Sequence, residues 1–382
     1  MIMEENEMFN EIQEVVILAA GRSRRMESLS DNQPKCLLPY KGERILERLI
    51  RQIKNQGIKK IVITTGYRAD LMEKLFGSDP VIELIENKLY EEDVNIYSMD
   101  LALTKINGAC AIFEADTVME DSLVKYVLGA DFDGKSIWFT RGKFNEAQYG
   151  GILKADKFGN VTDVRIVPAY KSSYKAYEKL TGIMRVGPGE IDCFKSLVHK
   201  YAKSTLKQYY LNAWIENIEM LPSQAANIEM FDFFSFNKPE EYYQVQSTEI
   251  GAVGDQPELV MVDVASLKHI EEHNLVRVEE LRHKILTEKV WTQPIIVEKK
   301  NHLVLDGQHR LEVALALGFN RVPAIIVDYD SVKVWTLRRE YPVSQRKVYA
   351  KVKAGELYPY KTVKHKFDFE IPEISVNLDE LK

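Results

Sequence analysis

VVILAAGRSRRM (Val15–Met26) decides the reading of the first half of the chain. Its apolar run is short and β-type, and small residues follow at once, so it reads as a strand that hands over through a tight turn to a helix. At such a turn the backbone N–H groups of Leu18, Ala19, Ala20 and Gly21 can face a phosphate, and Arg22, Arg24 and Arg25 can neutralise it. Outward from this segment, strand and helix patterns alternate. The amphipathic stretch Ile45–Gln56 stops at Gly57. IKKIVITTGY (Ile58–Tyr67) reads as a strand, ADLMEKLFG as a helix, VIELIEN (Val81–Asn87) as a third strand, and NGACAIFEAD (Asn107–Asp116) as a fourth after a helix around Ser98–Thr104. The alternation predicts an α/β fold, a doubly wound, mostly parallel sheet of Rossmann-like type with right-handed crossovers. From Ser136 to Val167 the texture turns to strand and turn, which predicts an antiparallel extension over that sheet. Lys195–Tyr201 and Tyr209–Asn217 read as helices.

The chain has 382 residues, too many for one ordinary core. The polar stretch STEIGAVGDQPE (247–258) reads as a linker. It separates a first domain at 11–246 from a smaller α+β domain at 259–382. In the second domain LVMVDVASL opens the pattern, RVEELRHKIL reads as a helix, PIIVEKKNHLVL as a hairpin, DGQHRLEVALALG as a turn and helix, and VPAIIVDY as a strand. A net charge of −6 gives no global attraction to nucleic acid or to an anionic membrane. Three dispersed cysteines, Cys36, Cys110 and Cys193, lack metal-ligand spacing and fit a reducing compartment. No apolar run approaches the ~18 residues of a membrane span, and the acidic first ten residues are unlike a signal peptide. The expectation is a cytoplasmic protein with small-molecule partners, no nucleic acid and no membrane; the sequence leaves the oligomeric state open.

Two further features complete the first constellation. Pro34-Lys35 puts a lysine where it can neutralise charge developing on transferred phosphates. Asp116 ends the fourth strand, at the carboxyl edge where ligands of doubly wound sheets lie, and a carboxylate there suits Mg²⁺. The pattern LAAG-x-x-x-R-M followed by PK resembles the nucleotidyltransferases that make NDP-sugars, CDP-choline and related activated metabolites. Ser23 stands where that family usually has a second glycine. The resemblance implies catalytic roles for Arg25 and Lys35, a metal role for Asp116, and a second metal ligand at Asn237 in FSFNKPEEY. Asn237 also reads as a helix N-cap. Asn95-Ile96-Tyr97-Ser98 resembles the N-x-x-S stretch of the phosphocholine and phosphonate cytidylyltransferases, which implies CTP as the nucleotide, with Asn95 and Ser98 beside it.

The second constellation is DGQHR (Asp306–Arg310), a turn that opens a helix and so offers an anion site. With LEVALALGFNRVPAIIVDY after it and the tail YPYKTVKHKFDFEIPEISVNLDELK, it resembles the ParB/sulfiredoxin-like fold and, within it, the free L-serine kinases. That resemblance implies Glu271 as the base on the serine hydroxyl, catalytic Asp306 and His309, a nucleotide-phosphate turn at Gly307, Gln308 and Arg310, and an amino-acid site at Thr362, Lys364 and His365. Gln308 replaces the first histidine of that group's DGHHR, and Lys364 replaces an arginine. Sulfiredoxin chemistry needs a cysteine where Gln308 stands, and no helix-turn-helix follows to make a DNA clamp. His269, His273 and His283 share no metal spacing and read as surface residues.

Joined on one chain, the two resemblances imply a bifunctional, Mg²⁺-dependent enzyme. The second domain would convert L-serine and ATP (or ADP) to O-phospho-L-serine, and the first would couple this phosphoserine to CTP, giving CDP-L-serine and pyrophosphate. Two alternatives stay open: the same chemistries on threonine, ethanolamine or a related compound, or a cytidylyltransferase fused to a non-catalytic, nucleotide-responsive regulatory domain.

Overall fold

The computed structural model describes residues 12–129, 132, 134–251 and 257–382. The acidic N-terminal stretch and the middle of the expected linker lie outside the described residues. The chain divides into two compact units, Met1–Gly251 and Ala252–Lys382.

In the first unit the strands Glu14–Leu18, Lys60–Thr65, Ile82–Glu86 and Cys110–Glu114 are parallel, with Glu14–Leu18 between Lys60–Thr65 and Cys110–Glu114. Side chains alternate across a strand. Val16, Val62 and Ile112 therefore share one face, in a core with Met99, Phe194 and Trp214. The alternate set Val15, Ile17, Ile61, Ile63, Ala111 and Phe113 is equally buried. Burial on both faces is why the three central strands read as continuous apolar runs, whereas the edge strand Ile82–Glu86 is only half-buried. Among the described residues, seven helices accompany the strands: α1 (Ile45–Lys54), α2 (Ala69–Phe76), α3 (Ile96–Leu103), α4 (Asp121–Leu128), α5 (Ile191–Ser204), α6 (Leu211–Ile215) and α7 (Pro239–Ser247). Helix α1 buries Ile45, Leu46, Leu49, Ile50 and Ile53, one stripe of a 3.6-residue period.

The antiparallel part continues the sheet edge to edge; it does not lie over it. Glu178–Val186 pairs antiparallel with Cys110–Glu114 and also carries Ile137–Lys143 and Gly150–Ala155. Gly182 makes this double pairing feasible. Its φ of +81° and the register shift between Leu180 and Met184 let one long strand serve different neighbours along its length. A Cβ at Gly182 would stand 2.6 Å from the Glu114 carboxyl carbon, so the glycine also makes room for that acid. Beyond α7 the chain stays with the first unit past residue 246: Tyr40 donates to the Thr248 carbonyl at 2.8 Å, and Ile250 is buried with Met26, Leu38 and Phe236.

The second unit is a four-stranded mixed sheet in the order Leu259–Asp263, Arg321–Val327, Ile295–Glu298, Val304–Asp306, with only the middle pair parallel. Helices α8 (Leu275–Glu288), α9 (Gln308–Ala316) and α10 (Gln345–Lys353) accompany it, with two further strand pairs, Val290–Trp291 with Val376–Asn377 and Lys333–Thr336 with Val363–Lys366. Ile295 and Val297 face a core with Leu311 and Ala314 of α9, while Ile296 faces Tyr329, Val348 and Val363. Among the described residues, no helix is long and apolar enough to cross a membrane.

Candidate functional sites

In the first unit a cavity of about 370 Å³ opens at the carboxyl ends of the parallel strands. Leu18, Ala19, Ala20 and Gly21 line it together with Arg25, Lys35, Asn95, Ser98, Asp116 and Asn237. Four of these form one polar cluster. Lys35 makes an ion pair with Asp116 and donates to Asn237 Oδ1 at 3.2 Å and to the Phe236 carbonyl at 3.1 Å. Arg25 donates to the same Asn237 oxygen at 2.8 Å and to the Tyr149 hydroxyl at 3.0 Å. Residues far apart in sequence thus share one carbonyl and one carboxylate. Arg22 turns the other way, toward Glu91 at 3.4 Å, and Arg24 approaches the same acid at 3.8 Å.

The loop after the first strand closes into a 3₁₀ turn, Arg24–Ser30, instead of an α-helix, because Glu27 sits at φ 50°, ψ −135°. Ser23 takes φ 57°, ψ 43°, a left-handed conformation that glycine adopts without steric cost. Ser23→Gly is therefore expected to stabilise the first unit by about 0.5–1 kcal/mol, read as a higher urea midpoint.

Asn95 and Ser98 are tied into the fold as well as lining the cavity. Asn95 Oδ1 accepts from the Tyr210 N–H at 2.9 Å. The Ser98 hydroxyl donates to Asp93 at 2.8 Å and accepts from the Asn87 amide at 2.9 Å. The cavity edge also gathers residues that sequence reasoning missed. The fourth strand ends at Glu114, not at Asp116, which follows in the turn; the acid two residues before Asp116 was the available signal. Burial, and then the charge of Asp116, pushes the Glu114 pKa up to about 7. Lys179 is lowered to about 8, first by burial and then by Arg141, with Glu114 opposing. No local pattern marks Lys179 or Tyr149; only the pairing of distant strands brings Tyr149 to Arg25 and Lys179 near Glu114.

An oxygen-only donor set suits a hard divalent cation. Asp116 Oδ1 is buried without a hydrogen-bond partner, and Asp116 Oδ2 and Asn237 Oδ1 are held only by cationic side chains. The residues fit Mg²⁺.

In the second unit Glu271 is 9% exposed and accepts the backbone N–H groups of Thr362, at 2.8 Å, and Val363. The base candidate and the tail are thus joined through the main chain. Burial pushes Glu271 up to about 7, against those N–H bonds and the charge of Lys364. Gly307, at φ 102°, caps α9. Arg310 reaches back to Asp306 at 2.6 Å and to Gln293 at 2.8 Å. Desolvation pushes Asp306 up, but Arg310, with Lys364 and His365, more than reverses this and holds it below the usual carboxylate range. His309 is lowered to about 4 by burial and by Arg277 and His273; its Nε2 accepts from the Asn274 N–H at 3.3 Å. Burial also lowers His365 to about 4, and both its nitrogens are engaged, with Leu305 O at 2.9 Å and Tyr329 Oη at 2.8 Å. Thr362 is fully buried.

Gln308 faces inward: its amide nitrogen donates to the Val304 carbonyl at 2.5 Å, and its oxygen meets His269 Nδ1 at 2.6 Å. His269 and His273 are not the surface residues expected from sequence. Their side chains are 17% and 24% exposed and converge on Glu312. His283 is exposed.

Comparison with known proteins places these sites in context. 2-Aminoethylphosphonate cytidylyltransferase of Lancefieldella rimae is 34% identical over 107 residues, 28% of this chain and 44% of that protein. The chain spans about half the length, or less, of the curated relatives it matches. The solved CTP:phosphocholine cytidylyltransferase of Streptococcus pneumoniae superposes with a TM-score of 0.51 at 21% identity, covering 62% of this chain and 98% of its own, a likeness of fold. A free serine kinase in complex with AMP matches 36% of this chain and 98% of its own at 16% identity, with a TM-score of 0.32. Residues 15–173 match the MobA-like NTP transferase domain family, and the first unit carries that domain.

Proposed function

We propose that the first unit is a cytidylyltransferase acting on a small phosphomonoester and that the second unit makes that ester by phosphorylating free L-serine. The observation that carries the first half is the convergence of Arg25, Lys35, Asp116 and Asn237 on one cavity. The similarity to a phosphonate cytidylyltransferase favours CTP. In this reading a phosphate oxygen of O-phospho-L-serine attacks the α-phosphorus of CTP, and the bond to pyrophosphate breaks, leaving CDP-L-serine. Lys35 and Arg25 neutralise the transferring phosphoryl group and the leaving pyrophosphate. Magnesium held by the oxygens of Asp116, Asn237 and Glu114 would supply further charge neutralisation there.

In the second unit the serine hydroxyl attacks the terminal phosphorus of ATP (or ADP). Glu271 takes the hydroxyl proton, and the shortened nucleotide leaves. A carboxylate near pKa 7 is a stronger base than an ordinary one and is about half ionised at neutral pH. His309 and His365, lowered to about 4, are neutral at that pH and act here as hydrogen-bonding groups. The inward Gln308 favours the second reading, a regulatory domain without kinase chemistry. Glu271→Gln kinetics together with a DNA gel shift separate the two.

The test is mass spectrometry of products from the whole chain with serine, ATP, CTP and Mg²⁺. A CDP-linked serine with one pyrophosphate per product is expected. Phosphoserine accumulating with no CTP turnover would refute the coupled scheme, and a panel with threonine and ethanolamine reads the acceptor.

A further inference from the structure

We propose that His269, His273 and Glu312 form a zinc-class metal site in the second unit, distinct from any magnesium that accompanies nucleotide. Among the described residues this is the one group of three potential ligands whose donor atoms all lie within 4.8 Å of one another. His269 Nε2 stands 2.8 Å and His273 Nδ1 3.6 Å from Glu312 Oε1. These separations bracket the edge of a tetrahedron with ~2.0 Å metal–ligand bonds, about 3.3 Å. Small side-chain shifts bring all three onto one ion, with a fourth position left for water.

The hydrogen bonding around His269 fixes which nitrogen is available. The Gln308 amide nitrogen donates to the Val304 carbonyl, so its oxygen must be the atom that faces His269. His269 Nδ1 therefore donates to Gln308, which leaves Nε2 as the ring atom that faces Glu312. Neither His269 Nε2 nor His273 Nδ1 makes a hydrogen bond, and both are buried atoms. An outer amide that sets the tautomer of a ligating histidine is a recurrent part of zinc sites. Gln308, which removes a titratable group from the DGQHR turn, thus acquires a positive role. Two imidazoles and one carboxylate favour zinc or a neighbouring transition metal over magnesium or calcium, which take oxygen ligands.

The site also has a consequence for shape. His269 and His273 flank Glu271 on the segment before α8, and Glu312 lies on α9, one turn after His309. A bound ion fastens the segment that carries Glu271 to the helix that carries His309.

The test titrates Zn²⁺, and separately Co²⁺, into the whole chain after chelator treatment. One equivalent of zinc is expected to bind with sub-micromolar affinity, and cobalt is expected to give the strong visible absorption of a four-coordinate site. His273→Ala and Glu312→Gln should each weaken zinc binding at least tenfold, and Gln308→Leu by about 10–100-fold. Folding of each variant is checked by circular dichroism. Should the variants not fold, X-ray absorption of the zinc-loaded wild-type chain decides: imidazole and oxygen scatterers with no sulfur support the site. Absence of stoichiometric zinc, binding unchanged in the His273→Ala/Glu312→Gln pair, or sulfur ligation overturns it. None of these readouts depends on kinase or cytidylyltransferase activity.

Discussion

Lys35→Met is expected to lower pyrophosphate release from CTP and phosphoserine by about 10²–10³-fold, the loss typical of removing one preorganised donor from a transferring group. The side chain is only 14% exposed and meets Asp116, Asn237 and the Phe236 carbonyl at once, so its ammonium is held in place before substrate arrives. Methionine keeps the length and loses the charge. The substitution also strands Asp116, whose Oδ1 already lacks a partner. A stability cost of about 1–3 kcal/mol accompanies it for the unsatisfied carboxylate, read in a urea melt. Asp116→Asn tests the other side of the pair. Alone it should lower the rate comparably, because the same cluster loses its one carboxylate on Lys35. Combined with Lys35→Met it should cost far less than the product of the two single losses, since the residues act as a unit. Full additivity would mean that Lys35 and Asp116 serve separate steps. Unchanged pyrophosphate release in Lys35→Met, with the fold intact, would remove the cavity from the chemistry.

The parallel half of the first unit was readable because its three central strands are buried on both faces. Val15–Ile17, Ile61–Ile63 and Ala111–Phe113 therefore appear as unbroken apolar runs bounded by turns. Of the antiparallel half, Ser136–Val167 was legible as strand and turn, but Glu178–Val186, which joins those strands to the parallel sheet, carried no comparable local mark. Glu178–Val186 changes partners at Gly182, and a single glycine with φ +81° says nothing in sequence about which strands it will join. The same limit explains the site. Arg25, Lys35 and Asp116 lie in or next to strand–turn signals, whereas Tyr149 meets Arg25, and Lys179 acts on Glu114, only through the pairing of distant strands. The missed metal ligands follow another rule. His269 and His273 precede α8, and Glu312 lies in the middle of α9. Their spacing along the chain is that of a loop and a separate helix, and only the packing of that loop against α9 unites them.

Glu271→Gln is expected to lower phosphoserine formation by about 10²–10⁴-fold, the range of a positioned general base, while CTP-dependent pyrophosphate release from added phosphoserine stays at the wild-type rate. Glutamine keeps the shape and can still accept the N–H groups of Thr362 and Val363 that seat the wild-type carboxylate, so the tail should remain in place. The pH profile gives the sharper readout. With Glu271 raised to about 7 by burial, the wild-type kinase rate should climb about tenfold per unit below pH 7 and level off above it, as the carboxyl ionises. His309 and His365, lowered to about 4, contribute no inflection in that window. Stability runs the opposite way. A carboxyl whose folded pKa exceeds its unfolded value favours folding most fully below the unfolded value, and that contribution is lost as pH rises through 7. The wild-type second unit should therefore weaken between about pH 4.5 and 7, as its kinase rate rises. In Glu271→Gln both slopes should vanish together. If the rate limb near pH 7 survives in the variant, the base is another group, and Glu271 is a buried acid that seats the tail without touching the serine hydroxyl.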